Sequence, residues 1–145
     1  EEGALKRALA TALNIQRKYP DNVVNNLLVG RLYMYRRMYS NSEQAFLHIL
    51  KVSPENQRVH YYMSRLYLRT KRLKLAEEHI DTYLAFDLDK NYRSRALYAK
   101  GLIYSRRKNY AKAEQLLEEA WKLGKLKRAK RRIEKIRKIK AQQGG

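Results

Sequence analysis

A chain of 145 residues is the size of one domain, and its 33 Lys and Arg against 14 acids leave a formal charge of +19. That excess favours anionic partners: nucleic acid, acidic peptides or anionic lipid headgroups. The absence of Cys excludes disulfides, thiolate nucleophiles and Cys-based zinc sites, and 6 Gly with 2 Pro are too few for the turn chemistry of a β-sandwich.

Residues 1–22 read as one amphipathic helix, with Ala8, Ala12 and Ile15 on one side and Pro20 closing it. The pattern then recurs. Pro54 follows Pro20 by 34 residues, and the small residues Gly30 and Ser64 are also 34 apart. Each is followed three residues later by Tyr (Tyr33, Tyr67), and Gly101 with Tyr104 repeats the pair 37 residues further on. Ser42, Phe46 and Ile49 stand at the same offsets as Ala76, Ile80 and Tyr83, and as Ala113, Leu117 and Ala120. Ser40-Asn41-Ser42-Glu43 reads as a capping box opening the helix through Leu50. Asp87–Asn91 interrupts the apolar periodicity and reads as a loop.

From Lys122 to Lys140 there are eleven basic residues and one acid, Glu134. Leu126, Ala129, Ile133, Ile136 and Ile139 form a narrow apolar stripe on this otherwise cationic helix. Two readings stay open. The helix caps the last repeat on Leu117 and Trp121 with its charges solvated. Alternatively, its outer face (Lys127, Arg128, Lys130, Arg131, Arg132, Lys135, Arg137 and Lys138) also docks on phosphate or anionic lipid.

The repeated residues resemble the tetratricopeptide repeat, a helix-turn-helix unit of about 34 residues. On that resemblance the chain divides into the second helix of a truncated repeat (1–22), repeats at 23–56, 57–93 and 94–124, and a basic capping helix and tail (125–145). The second repeat carries Asn91–Arg93 as an inserted loop. Departures from the family pattern are Asn26, His60 and Leu97 at the fourth position, Lys100 before Gly101, and Leu88 for the terminal Pro. The resemblance implies an all-α, right-handed superhelical solenoid of antiparallel helix pairs. Small residues at Gly30, Ser64 and Gly101 let paired helices approach, and no single repeat buries its apolar face alone.

The family's ligands most often lie on the concave face made by the first helix of each repeat. Carried over, those positions are Leu27, Arg31, Met34 and Tyr35; Arg58, Tyr61, Arg65, Leu68 and Arg69; and Arg95, Tyr98, Leu102 and Arg106. Arg grips carboxylate or phosphate at two points, and Tyr offers apolar area plus a hydroxyl at low rotamer cost. An acidic or amphipathic segment of another protein is the expected ligand. The subclass that clamps a chaperone's C-terminal carboxylate is not expected, because Leu27 and Arg31 replace its Lys and Asn.

The main rival is nucleic acid: Tyr interleaved with Arg in Arg31–Tyr39 offers base stacking beside phosphate contacts. Against it, Tyr33, Tyr35 and Tyr39 cannot share one helix face, and no RNA-reading signature is present. His48, His60 and His79 fall on different helices, and no HExxH, phosphate loop or nucleophile elbow occurs. No enzyme activity, cofactor or metal is expected. No apolar run approaches the roughly 20 residues of a membrane span, and no signal-peptide pattern opens the chain, so a cytoplasmic location is expected. A chain opening on Glu1 is read as part of a larger protein or complex.

Overall fold

The computed structural model describes residues 1–144. They form eight helices: α1 (Glu2–Lys18), α2 (Val23–Tyr35), α3 (Tyr39–Val52), α4 (Gln57–Arg69), α5 (Leu73–Leu84), α6 (Lys90–Arg106), α7 (Tyr110–Gly124) and α8 (Lys127–Gln143). No strand occurs among the described residues. The helices fall into two compact units, α1–α4 up to Lys71 and α5–α8 from Arg72 onward.

Local chemistry sets the helix ends. Asn22, Asn56 and Asp89 cap α2, α4 and α6 by accepting from backbone N–H groups of the first turn. Asn109 does the same for α7. Inside the helix pairs the turn is a Schellman closure. Met38 N–H donates to the Tyr33 carbonyl at 2.8 Å, and Asn109 N–H to that of Tyr104 at 3.0 Å. The left-handed residue of each closure is basic and not Gly: Arg37 at φ 59°, Lys108 at φ 62°. A cation there faces the negative end of the helix dipole.

Two sequence expectations are corrected. α3 starts at Tyr39 with Met38 at its N-cap and no side-chain cap, so Ser40 and Glu43 form no capping box. The Schellman closure hands the chain straight into α3. Ser42 instead turns inward, donating to the Gly30 carbonyl at 2.7 Å. The chain break is Ala85–Asp89, and residues 91–93 are not an inserted loop. Asp89 accepts from the N–H groups of Asn91 and Tyr92, which makes those residues the first turn of a 17-residue α6.

In the first unit, Leu9 and Ala12 of α1 pack with Val29 and Leu32 of α2 and Ala45 of α3. A Cβ on Gly30 would run into the Phe46 ring, so the α2–α3 crossing demands Gly. Asn26, which stands where the family has an aromatic, is fully buried and satisfied. It donates to the Pro20 carbonyl at 2.7 Å and accepts from Gln16 at 2.9 Å. In the second unit, Ala113, Leu117 and Ala120 of α7 pack with Ala129, Ile133 and Ile136 of α8, flanked by Trp121 and Leu126. A Cβ on Gly101 would sit 2.8 Å from Leu117, the same close crossing as at Gly30.

Candidate functional site

In the first unit, α2 and α4 present one row of residues each, in register at the 34-residue offset. Val24, Leu28, Arg31 and Tyr35 match Arg58, Tyr62, Arg65 and Arg69. The side chains interlock. The Arg31 guanidinium lies 4.8 Å from the Tyr62 ring centre, Arg65 5.8 Å from Tyr61, and Arg69 5.8 Å from Tyr35. Tyr61 meets Tyr62 edge-on at 5.3 Å, and Tyr62 stacks on the buried Phe46 at 6.4 Å. The rings hold the guanidinium groups in place from behind.

The cations lack counter-charges. Arg31, Arg58, Arg65 and Arg69 enter no ion pair among the described residues. The Arg31 Nε is buried without a hydrogen-bond partner. Burial pushes the Tyr35 phenol up, but the Arg31 hydrogen bond and the charges of Arg31, Arg65 and Arg69 hold it below its ordinary value. Burial and the neighbouring Arg65 charge also lower Arg69. The site is thus a partly desolvated cation cluster on a Tyr wall, suited to carboxylate or phosphate. Beside it, Ile15, Val24 and Leu28 line a cleft of about 480 Å³ edged by Arg31 and Arg58.

Leu27 and Met34, expected on this face, are core residues at 6% and 1% exposure. Val24 and Leu28 take the surface positions instead, because Leu27 and Met34 lie on the α2 arc that packs against the neighbouring helices. Tyr62 was also missed. The offset that equates Val24 with Arg58 and Leu28 with Tyr62 was the signal that would have found all three.

The second unit carries its own set. Arg95 lies 5.9 Å from the Tyr92 ring, and Arg106 is exposed at the end of α6. Tyr98 is covered by Arg128 of α8, 4.7 Å above its ring. The basic residues of α8 do not form one surface. Arg137 bonds Glu114 at 2.6 Å and Glu118 at 2.7 Å, and Lys140 bonds Glu114 at 2.9 Å. These hydrogen bonds hold the Glu114 carboxyl below the usual range. Lys130 lies over Trp121 at 5.6 Å, and Arg132 is half-buried with Nε unpartnered. Lys127, Arg131, Lys135 and Lys138 are exposed and unpaired among the described residues. No group of three potential metal ligands and no helix long and apolar enough to cross a membrane occurs among those residues.

Stacked helix pairs, close small-residue crossings and polar first-helix rows define a helical-repeat protein. The family model for the tetratricopeptide repeat matches residues 27–90, so that segment carries the tetratricopeptide-repeat pattern. No curated protein sequence matches the chain. Among solved structures, PilF of Pseudomonas aeruginosa is similar at TM-score 0.84 and 15% identity, over 97% of this chain and 64% of that one. MamA of Desulfovibrio magneticus RS-1 is similar at TM-score 0.79 and 20% identity, over 97% and 78%. The first tetratricopeptide domain of Spaghetti (RPAP3), bound to the HSP90 peptide SRMEEVD, gives 0.72 and 18%, over 82% and 93%. The fold of the whole chain is that of the tetratricopeptide solenoids.

Proposed function

We propose that the chain is a non-catalytic interaction module whose first unit binds an acidic or amphipathic protein segment across α2 and α4. The observation that carries this reading is the set of four Arg (31, 58, 65 and 69) without a carboxylate partner, of which Arg31, Arg65 and Arg69 are held against Tyr62, Tyr61 and Tyr35. Unpaired, partly buried guanidinium groups keep a strong preference for an incoming carboxylate. The RPAP3 domain offers support by analogy, since its peptide SRMEEVD carries three acids. The test is the double change Arg65→Glu with Arg69→Glu, read by anisotropy of a labelled acidic amphipathic peptide with an amidated C-terminus at moderate salt. Binding by the parent chain, lost in the variant with an intact helical CD signal, is expected; equal binding by both counts against the reading.

A second reading, an RNA- or anionic-membrane-binding role, draws on α8. Its exposed, unpaired Lys127, Arg131, Lys135 and Lys138 form a strip with no apolar side chain to insert into lipid and no ring to stack on bases. Contact through it would be purely electrostatic, with affinity falling steeply as salt rises.

A further inference from the structure

Three cations of α2 and α4 converge on one phenol. Arg31 donates a hydrogen bond to the Tyr35 hydroxyl, and the charges of Arg65 and Arg69 act on the same oxygen. The Arg69 guanidinium lies 5.8 Å from the centre of that ring. Arg65 and Arg69 stand about one turn apart on α4, so two like charges share a helix face. Burial, and then the Arg65 charge, hold Arg69 below its ordinary value. No acid pairs with Arg31, Arg65 or Arg69 among the described residues. Like charges gathered without an internal partner cost the folded chain, and an anion from outside relieves them. Because the Tyr35 oxygen accepts from Arg31, its own O–H is left to donate to such an anion.

Charge and oxygen count separate the anions that could fill this place. A carboxylate brings one negative charge and two oxygens, which leaves two of the three guanidinium groups unbalanced. A phosphorylated side chain brings about −1.5 to −2 and three strong acceptor oxygens, enough for the three forks. A nucleic-acid phosphodiester again brings a single charge. The rings that would stack its bases already carry guanidinium groups: Arg31 4.8 Å from the centre of Tyr62, Arg65 5.8 Å from that of Tyr61, and Arg69 on Tyr35. We propose that Arg31, Arg65 and Arg69, with the Tyr35 hydroxyl, form the seat for a phosphorylated side chain on the bound protein segment, an inference that rests on the groove reading of the first unit. Arg58, about two turns before Arg65 on α4, remains for a carboxylate elsewhere on that segment.

The probes are three short amidated peptides of one acidic amphipathic sequence, with phosphoserine, Glu or Ser at the central position. By anisotropy at moderate salt, the phosphoserine peptide is expected to bind the full chain about tenfold more tightly than the Glu peptide, with the Ser peptide weakest. Arg65→Lys with Arg69→Lys keeps both charges but loses the two-point grip. It should narrow that gap to about threefold or less, with the helical CD signal intact. Lys135→Gln with Lys138→Gln, on α8, should leave the gap as it is. Equal binding of the phosphoserine and Glu peptides overturns the phosphate seat and leaves the acidic-segment reading standing, whereas no binding by any of the three overturns both. A full gap retained in the Lys pair shows attraction by charge alone, and a gap lost in the α8 pair places the phosphate elsewhere; either result overturns the seat. Single-stranded oligouridine that displaces the phosphoserine peptide at equal affinity does the same, by revealing a phosphodiester site.

Discussion

α1 of the first unit and α8 of the second treat the sides they turn away from their cores in opposite ways. α8 buries Ala129, Ile133 and Ile136 against α7 and turns Glu134, Lys135 and Lys138 to solvent. α1 buries Leu9 and Ala12 and leaves Ala4, Ala8 and Ile15 outside. The buried set of α8 repeats the spacing of Asn25, Val29 and Leu32 in α2, so α8 stands as a first helix. Glu134 then falls where Gly30 faces a second helix. A carboxylate there replaces the small residue that lets α2 approach a second helix, whereas α1 keeps the small residue Ala8 at its own crossing position.

Five substitutions sharpen that contrast. Ile136→Ala is expected to cost about 2–5 kcal/mol, because it opens a cavity under α8. Ile15→Ala should stay within about 0.5 kcal/mol, since its side chain is already half in water. Chemical denaturation measures both, and equal losses would erase the distinction between the two helices. A smaller effect comes from Glu114→Gln, at about 1 kcal/mol or less after allowance for solvent screening around the exposed Arg137. The pH dependence has a definite sign. Glu114 is held below its ordinary value in the folded chain, so its contribution is complete at neutral pH and lost as pH falls through the folded value. Amide exchange in α8 should therefore accelerate below the usual carboxylate range in the parent chain and not in Glu114→Gln. The smallest effect is a gain: Lys125 closes α7 as its left-handed C-cap at φ 53°, and Lys125→Gly should stabilise by about 0.5 kcal/mol by thermal melting. Tyr19, after α1, has φ −132°, so Tyr19→Gly should bring no gain.

The repeat was legible because its determinants are steric. Gly30 and Gly101 are fixed by what a Cβ would strike, and such positions recur at the period of the fold. Helix boundaries were less legible where backbone closure competed with side-chain capping. Ser40 and Glu43 have the letters of a capping box, but the turn through Arg37 positions Met38 first. The Arg of the candidate site were readable as a group. Which apolar neighbours share their face was not, because Leu27 and Leu28 differ by only 100° around α2, and packing alone decides which is buried. The partners of α8's cations were hidden for a similar reason: Arg137 and Lys140 meet Glu114 across 23 and 26 residues, beyond any local pattern.

The amides around Asn26 bear on how α1 responds to contact. Asn25 donates to the Ala12 carbonyl at 2.9 Å while Asn26 joins Gln16 to the Pro20 carbonyl. Sliding α1 by one turn would strand these buried groups without partners, a cost of about 1–3 kcal/mol for each. α1 is therefore locked in register before anything meets it. Any contact made on this helix meets a preorganised surface, and little association energy would go into reshaping it.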